Sequence, residues 1–230
     1  MKKIIQLLIP MFVLVSQMFA IAGFGMQLGQ SMFSVKESSP TLSVPGVTLK
    51  NGAYDNAYGF GGYFYIDAIP VVDLEVDFNI QGNTYNIDFE NALGVSMPTL
   101  PFGWASTDVY FTIRKKIMGV GIPFLAKAKL FAGAGYNTHV STPIANESML
   151  TDLCGNDIAN CDVQNLDKTL ESYMTNKDNY ISANGFHVQG GLQFKLLMID
   201  SFLFYRHVIA DFVPDNKGFG SLNLRLGLGI

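Results

Sequence analysis

What this chain has little of is charge. Asp, Glu, Lys and Arg make up 15% of its 230 residues, against about 25% in an ordinary soluble domain, so the composition lacks the makings of a large solvated surface. Hydrophobic residues at 49% and aromatic residues at 13%, set beside that low charge, exclude a disordered chain. The net charge is −4 and Lys and Arg form no long run, which argues against nucleic-acid binding. No helical heptads and no repeat of fixed length occur. Beyond residue 22 no apolar stretch reaches the roughly 18 residues of a membrane-crossing helix. The only two cysteines are Cys154 and Cys161, both far from the N-terminus, which excludes a lipid-modified cysteine after a leader.

What is present begins with a leader pattern. Met1-Lys2-Lys3 is basic, and Ile4 to Val15 is apolar apart from Gln6 and Pro10. Ala20-Ile21-Ala22 then fits the small-x-small cleavage motif of a secretory signal peptide. The expected cut follows Ala22, with Ala20 as the alternative. The apolar run is too short for a span of about 20 residues. The expected organisation is therefore a signal peptide at 1–22 and a single domain at 23–230. Export without a helical anchor leaves three destinations: the periplasm, the exterior, or an outer membrane crossed by strands.

The dominant signal of the rest is alternation with period two, the mark of strands. In Val72–Gln81 the even positions are Val, Leu, Val, Phe and Ile, while the odd ones are Asp, Glu, Asp, Asn and Gln. A strand sends these sets to opposite faces. The pattern recurs around Phe24–Leu28, Tyr58–Asp67, Thr107–Arg114, Ala126–Tyr136, Phe186–Leu196 and Leu222–Ile230. An eighth strand, Ser201 to Ile209, has no clear phase, because Arg206 and His207 fall on opposite faces. Residues 68–71, 115–122 and 197–200 read as short links. Residues 33–56, 82–105 and 137–181 read as long ones, and 210–218 as intermediate. An even strand number, about ten residues per strand, and short turns facing long loops match a transmembrane barrel. A soluble barrel also alternates, but the charge-free faces here would leave it an oversized core or a sticky surface.

The expected fold is thus all-β: an eight-stranded antiparallel up-and-down transmembrane β-barrel with long outer loops. Its polar face would fill the lumen. Asp67, Asp73, Glu75, Asp77 and Asp108 would meet Arg114, Lys127, Lys129, Lys195 and Arg225 as an ion-pair plug, since buried charges need partners. The alternative is that these groups line a narrow polar pore. Tyr58, Phe60, Tyr136, Phe186 and Phe202 are candidates for the aromatic girdles. Trp104 reads as an outer-interface residue or a loop anchor.

The blocks Lys129-Leu130-Phe131-Ala132-Gly133-Ala134-Gly135-Tyr136-Asn137, Gly185 to Leu196, and Leu222 to Gly229 resemble strands of small bacterial outer-membrane β-barrel proteins, the OmpA/OmpX/OmpW-like group. The resemblance covers nearly the whole chain after the leader. It implies an outer-membrane location in a diderm bacterium, contact with outer-membrane lipids, and insertion by the barrel assembly machinery. Its motifs specify architecture and no activity. The group usually ends in an aromatic residue, and this chain ends in Ile230.

Candidate chemistry is sparse. Cys154 and Cys161 are expected to form a disulfide in the longest loop of an exported protein. Val163, Leu166, Leu170 and Tyr173 are spaced for a short amphipathic helix from Asp162, its N-cap, to Met174. Asp152, Asn156, Asp157, Asn160 and Asp162 offer oxygens suited to Ca²⁺, but their spacing departs from the EF-hand loop, so a solvated loop is expected. His139 and Ser141, with Glu147, are similar to the His-x-Ser pair of outer-membrane lipid A deacylases. Both fall with the inward set, however, and a polar pair is the expected reading. His187 and His207 read as structural contacts. No cofactor and no metal site are expected. The leading functional expectation is a non-enzymatic barrel with a filled lumen that presents surface loops, with an extracellular ligand as a partner. The alternatives are passage of a small or apolar solute, as the resemblance to OmpW-like proteins implies, and lipid A hydrolysis.

Overall fold

The computed structural model describes residues 21–67, 71–96, 98–122, 125–154, 158–160, 173 and 176–229. The strands are β1 (Ile21–Val35), β2 (Thr48–Asn51), β3 (Tyr54–Asp67), β4 (Asp73–Glu90), β5 (Leu100–Ile122), β6 (Ala126–Ser141), β7 (Ile181–Leu196), β8 (Ile199–Ile209) and β9 (Phe219–Gly229). A helix, α1 (Glu147–Cys154), lies between β6 and β7. All pairings are antiparallel. β1 pairs with both β3 and β9, and β4 with both β3 and β5, so the sheet closes. β2 pairs only with β4, from Thr48 opposite Glu90 to Asn51 opposite Ile87. It extends the line of β3, and the ring therefore has eight positions.

The register fixes the shape of the ring. Stepping across paired residues from Ala22 leads through Ile66, Leu74, Ile113, Ala134, Val188, His207 and Gly220 to Met32, ten residues further along β1. That shear in an eight-stranded ring corresponds to a strand tilt of about 40° and an interior that side chains alone can fill. Interior room is scarce enough to require glycine. A Cβ on Gly61 or Gly135 would lie 1.9 or 1.8 Å from the carbonyl oxygen of Phe78 or Phe111.

The polarity is inside-out over the part of each strand nearest the short turns. Leu74, Val76 and Phe78 face outward, 39–47% exposed, while Asp73, Glu75 and Asp77 face inward at 0–7%. Phe24, Met26 and Leu28 on β1, Phe111 and Ile113 on β5, and Leu222 to Leu228 on β9 continue the apolar perimeter. In hydrocarbon this is the stable arrangement, because a closed ring pairs its backbone groups and has no edge.

Toward the long loops the polarity reverses without any change of register. On β4 the outward residues become Thr84, Asn86 and Asp88, and the inward ones Tyr85, Ile87 and Phe89, each at most 5% exposed. On β5 the inward residues Phe102 and Trp104 precede Ser106 and Asp108. The barrel thus continues beyond the bilayer as a water-facing barrel with an apolar core. Much of the segment expected as a long loop, 82–105, is strand, and the connection is only 91–99. Residues 115–122, expected as a link, are strand too. They project past the start of β4, whose pairing with β5 stops at Asp73 opposite Arg114.

Two aromatic assignments change. Phe202 is not in a girdle but inside, 1% exposed, because β8 turns Phe202, Phe204, Arg206 and Val208 inward and Leu203, Tyr205 and His207 outward. Trp104 is also inside, 1% exposed, in the apolar core above the bilayer. Tyr58, Phe60, Tyr136 and Phe186 do face outward. The helix expected at 162–174 lies outside the described residues except for Tyr173, and the pairing expected of Cys154 likewise involves Cys161 outside them. The helix α1 carries no such expectation. Asn146 caps it by accepting from the Met149 amide at 2.9 Å, and Met149 and Leu150 bury into the core.

Candidate functional site

Among the described residues the lumen concentrates the buried polar chemistry, and it is layered. At the end with the short turns, Tyr65 donates to Asp200 and Gln193 donates to Asp200 at 3.0 Å. Lys129 pairs with Asp67 at 2.8 Å. Tyr63, Tyr65, Phe131, Phe202 and Phe204 pack among these groups.

The next layer is an ion cluster of three arginines and three acids. Arg114 meets Asp73 at 3.0 Å and Glu75 at 3.2 Å. Arg225 meets Glu75 at 2.8 Å and Asp77 at 2.6 Å. Arg206 pairs with Asp77 and lies 4.0 Å from Glu75. Formal charges cancel, as a site closed to water demands. Gln189 links Glu75 to Arg206, and Gln27 accepts from Arg225 Nε at 2.5 Å. Aromatic faces cover the guanidinium planes: Arg206 lies 3.9 Å from the Tyr110 centroid and Arg225 4.3 Å from that of Phe204. Cation–π contact of this kind compensates part of the lost hydration.

Above it, Asp108 accepts from Gln81 at 2.8 Å and from Ser106 at 2.5 Å and faces His139 Nδ1 at 2.7 Å. His139 Nε2 faces Asn137 at 2.9 Å, and the His139 ring stacks on Phe212 at 3.9 Å. His187 contacts Thr112 at 2.9 Å. An aromatic cork follows, with Phe33, Tyr54, Trp104, Phe212 and Phe219 in mutual ring contact. Its outer side is held by Asn51 donating to the Ala145 carbonyl and by the Ala145 amide donating to the Tyr85 hydroxyl at 3.2 Å. Burial pushes the phenols of Tyr54 and Tyr85, above the bilayer, well past the ordinary tyrosine value. A residual cavity of about 20 Å³ beside Tyr110 and Arg206 is room for a single water.

The structure therefore brings together Asp73, Glu75, Asp77, Arg114 and Arg225 in one cluster. Lys129 stands apart with Asp67, and Asp108 with His139. Lys127 is exposed, and Lys195 only half-buried, at the rim of the short-turn end. They lie outside the cluster because β6 and β7 carry them below it. Arg206 is the member that the pattern concealed. Cost separates it from His207: an Arg facing mid-bilayer costs about 2–4 kcal/mol, whereas a His can face lipid uncharged. Asp200 was hidden in the same strand. The aromatic cork was hidden by the reversal, although Thr84-Tyr85-Asn86-Ile87-Asp88-Phe89 still alternates.

Hydrolytic geometry does not assemble. Both ring nitrogens of His139 face Asp108 and Asn137 rather than Ser141, and Glu147 accepts from the Ser43 amide at 2.9 Å. Among the described residues no cluster of three His, Cys, Asp or Glu side chains could hold a metal.

No protein-family model matches the sequence, and no curated protein does. Among solved structures the chain is similar to Ail, the attachment invasion locus protein of Yersinia pestis, at 12% identity and TM-score 0.42, over 92% of this chain and 99% of that one. It is similar to the outer membrane protein OprG of Pseudomonas aeruginosa at 11% identity and TM-score 0.45, over 91% and 93%. It is likewise similar to Neisserial surface protein A at 13% identity and TM-score 0.40, over 91% and 97%. The closed ring of eight antiparallel strands, apolar toward lipid and polar within, is the architecture of a small bacterial outer-membrane β-barrel.

Proposed function

We propose that this protein is a non-enzymatic outer-membrane barrel whose filled lumen makes a rigid support for its outer extension and loops. The observation that carries the reading is the balanced cluster of Arg114, Arg206 and Arg225 with Asp73, Glu75 and Asp77, capped by the aromatic cork, with a cavity of about 20 Å³ beside Tyr110 and Arg206. A passing solute would have to break several buried charge pairs at once. The water-facing extension, with α1 across its mouth, presents the loops to an extracellular ligand. Single-channel recording of the refolded protein in a planar bilayer tests this. The expected result is no steady current at any voltage that the bilayer withstands. A stable open level would replace this reading with transport.

The leader and the outer loop belong to the same reading. Ile21 and Ala22 pair with Asp67 and Ile66, which favours cleavage after Ala20 over Ala22. Cys154 and Cys161 would close the outer loop as a disulfide. Intact mass of the exported protein is expected to equal residues 21–230 less two hydrogens. A mass starting at Gly23, or two alkylatable thiols, would overturn the respective assignment.

A further inference from the structure

We propose that the open edge of β5 at Ile117–Ile122 takes up an extended segment of a periplasmic protein as an added strand, one in which acidic and apolar residues alternate. Short turns mark this end as periplasmic. Pairing of β5 with β4 stops at Asp73 opposite Arg114, whereas pairing with β6 runs on to Ile122 opposite Ala126. On the side away from β6, Lys115–Ile122 has no strand partner among the described residues. The stretch beyond Arg114 covers about 25 Å. The connection from Asp67 to Asp73 reaches at most about 10 Å down that edge before it must return. Depth puts the edge in water. β5 crosses the outer boundary of the lipid band near Ala105, opposite Gly82. Lys115 lies ten residues further, which at a tilt of about 40° is a descent of about 25 Å, the height of the whole band. It faces outward, paired with Ala132, where its amine reaches the headgroups. Unpaired backbone groups below it therefore avoid hydrocarbon, in which they would be costly.

An exposed strand edge is a template for pairing with another chain, and the two faces of this one say which chain fits. Lys116 and Lys127 stand on the lumen side, in phase with the inward residues Phe131 and Lys129. The charges nearest Lys127 are Lys129, Asp67, Lys195 and Lys116. Asp67 is bound to Lys129 at 2.8 Å, and Asp200 is paired with Lys195 across β7 and β8. Lys116 and Lys127 are left without an ion pair among the described residues. An added strand would lie beside Gly119 and Gly121, whose missing side chains open the way from its inward residues to these amines. A Cβ on Gly119 would lie 3.4 Å from Lys116 Nζ, and Gly121 is opposite Lys127. Carboxylates are the matching inward groups. Outward, Met118, Val120 and Ile122 are 62–78% exposed, and apolar neighbours match them. A second copy does not fit the edge. Two barrels in one bilayer are related by an axis along its normal, so their β5 strands, each tilted about 40°, would cross at about 80°, against about 20–25° between paired strands.

The inference rests on the barrel's orientation in the outer membrane, and not on whether the lumen conducts. Fluorescence anisotropy tests it, with the refolded full chain in phosphatidylcholine nanodiscs and a labelled short peptide of alternating Val and Glu. A peptide of alternating Val and Ser is expected to bind about tenfold more weakly, from about a factor of three for each of two exposed amine–carboxylate pairs. Lys116→Gln with Lys127→Gln is expected to abolish that preference. Lys50→Gln with Lys177→Gln, in the outer region, should leave it unchanged. N-methylation of alternate peptide amides separates strand addition from charge attraction. Methylating the set that faces β5 is expected to weaken binding at least about tenfold, and methylating the other set to have little effect. A heat-modifiable gel band checks that each variant is folded, and the methylated peptides test the site on the unaltered chain should the lysine pair prove necessary for folding. No preference for Glu over Ser, a preference that survives the loss of both lysines, equal effects of the two methylated peptides, or a complex of two chains that the peptide dissociates would overturn the proposal.

Discussion

The arginine cluster shows how one side chain holds several others in place. Asp77 is fully buried and takes Arg206 and Arg225 at once. Asp77→Ala would leave two guanidinium groups in a closed lumen with Glu75 as the remaining shared partner. Removing one member of a buried pair typically costs about 3–5 kcal/mol, and that loss is expected in urea unfolding of the barrel in lipid vesicles. Asp108→Ala should cost less, since its main partner, His139, also contacts Asn137. Equal and negligible losses would show that water enters the lumen and solvates these charges.

At the scale of the strand, the reversal of polarity along β4 and β5 marks where lipid ends. It gives a depth-dependent expectation: Val76→Arg should destabilise by about 2–4 kcal/mol and Asn86→Arg by less than about 1 kcal/mol, because an Arg costs most at mid-bilayer and little near the interface. The two sites lie on the same face of the same strand, so vesicle unfolding of both variants compares depth alone. This is also where the sequence was legible and where it was not. Val72–Gln81 reveals its orientation because its two faces differ cleanly. Thr84–Glu90 alternates equally well with its faces exchanged, and a search for apolar even positions reads it as a loop. Ser201–Ile209 hides its phase because both faces carry large apolar residues, and only the cost of an outward Arg resolves it. Lys127 and Lys195 share the inward phase of Lys129, but phase does not report height, and height decides which charges meet.

For the whole molecule, closure is what makes the parts consistent. A shear of ten residues fixes a lumen narrow enough that glycines, arginines and aromatic rings must interlock. The same closure leaves the membrane no unpaired edge over the spanning part. The central claim is that apolar residues face lipid on the spanning part while the aromatic residues of the outer part face inward. Quenching by brominated lipid tests it directly, because Trp104 is the only tryptophan. In the native barrel Trp104 fluorescence should be almost unaffected by bromination. Trp104→Phe combined with Val76→Trp should be strongly quenched. Strong quenching of native Trp104, or none of a tryptophan at position 76, would contradict the account.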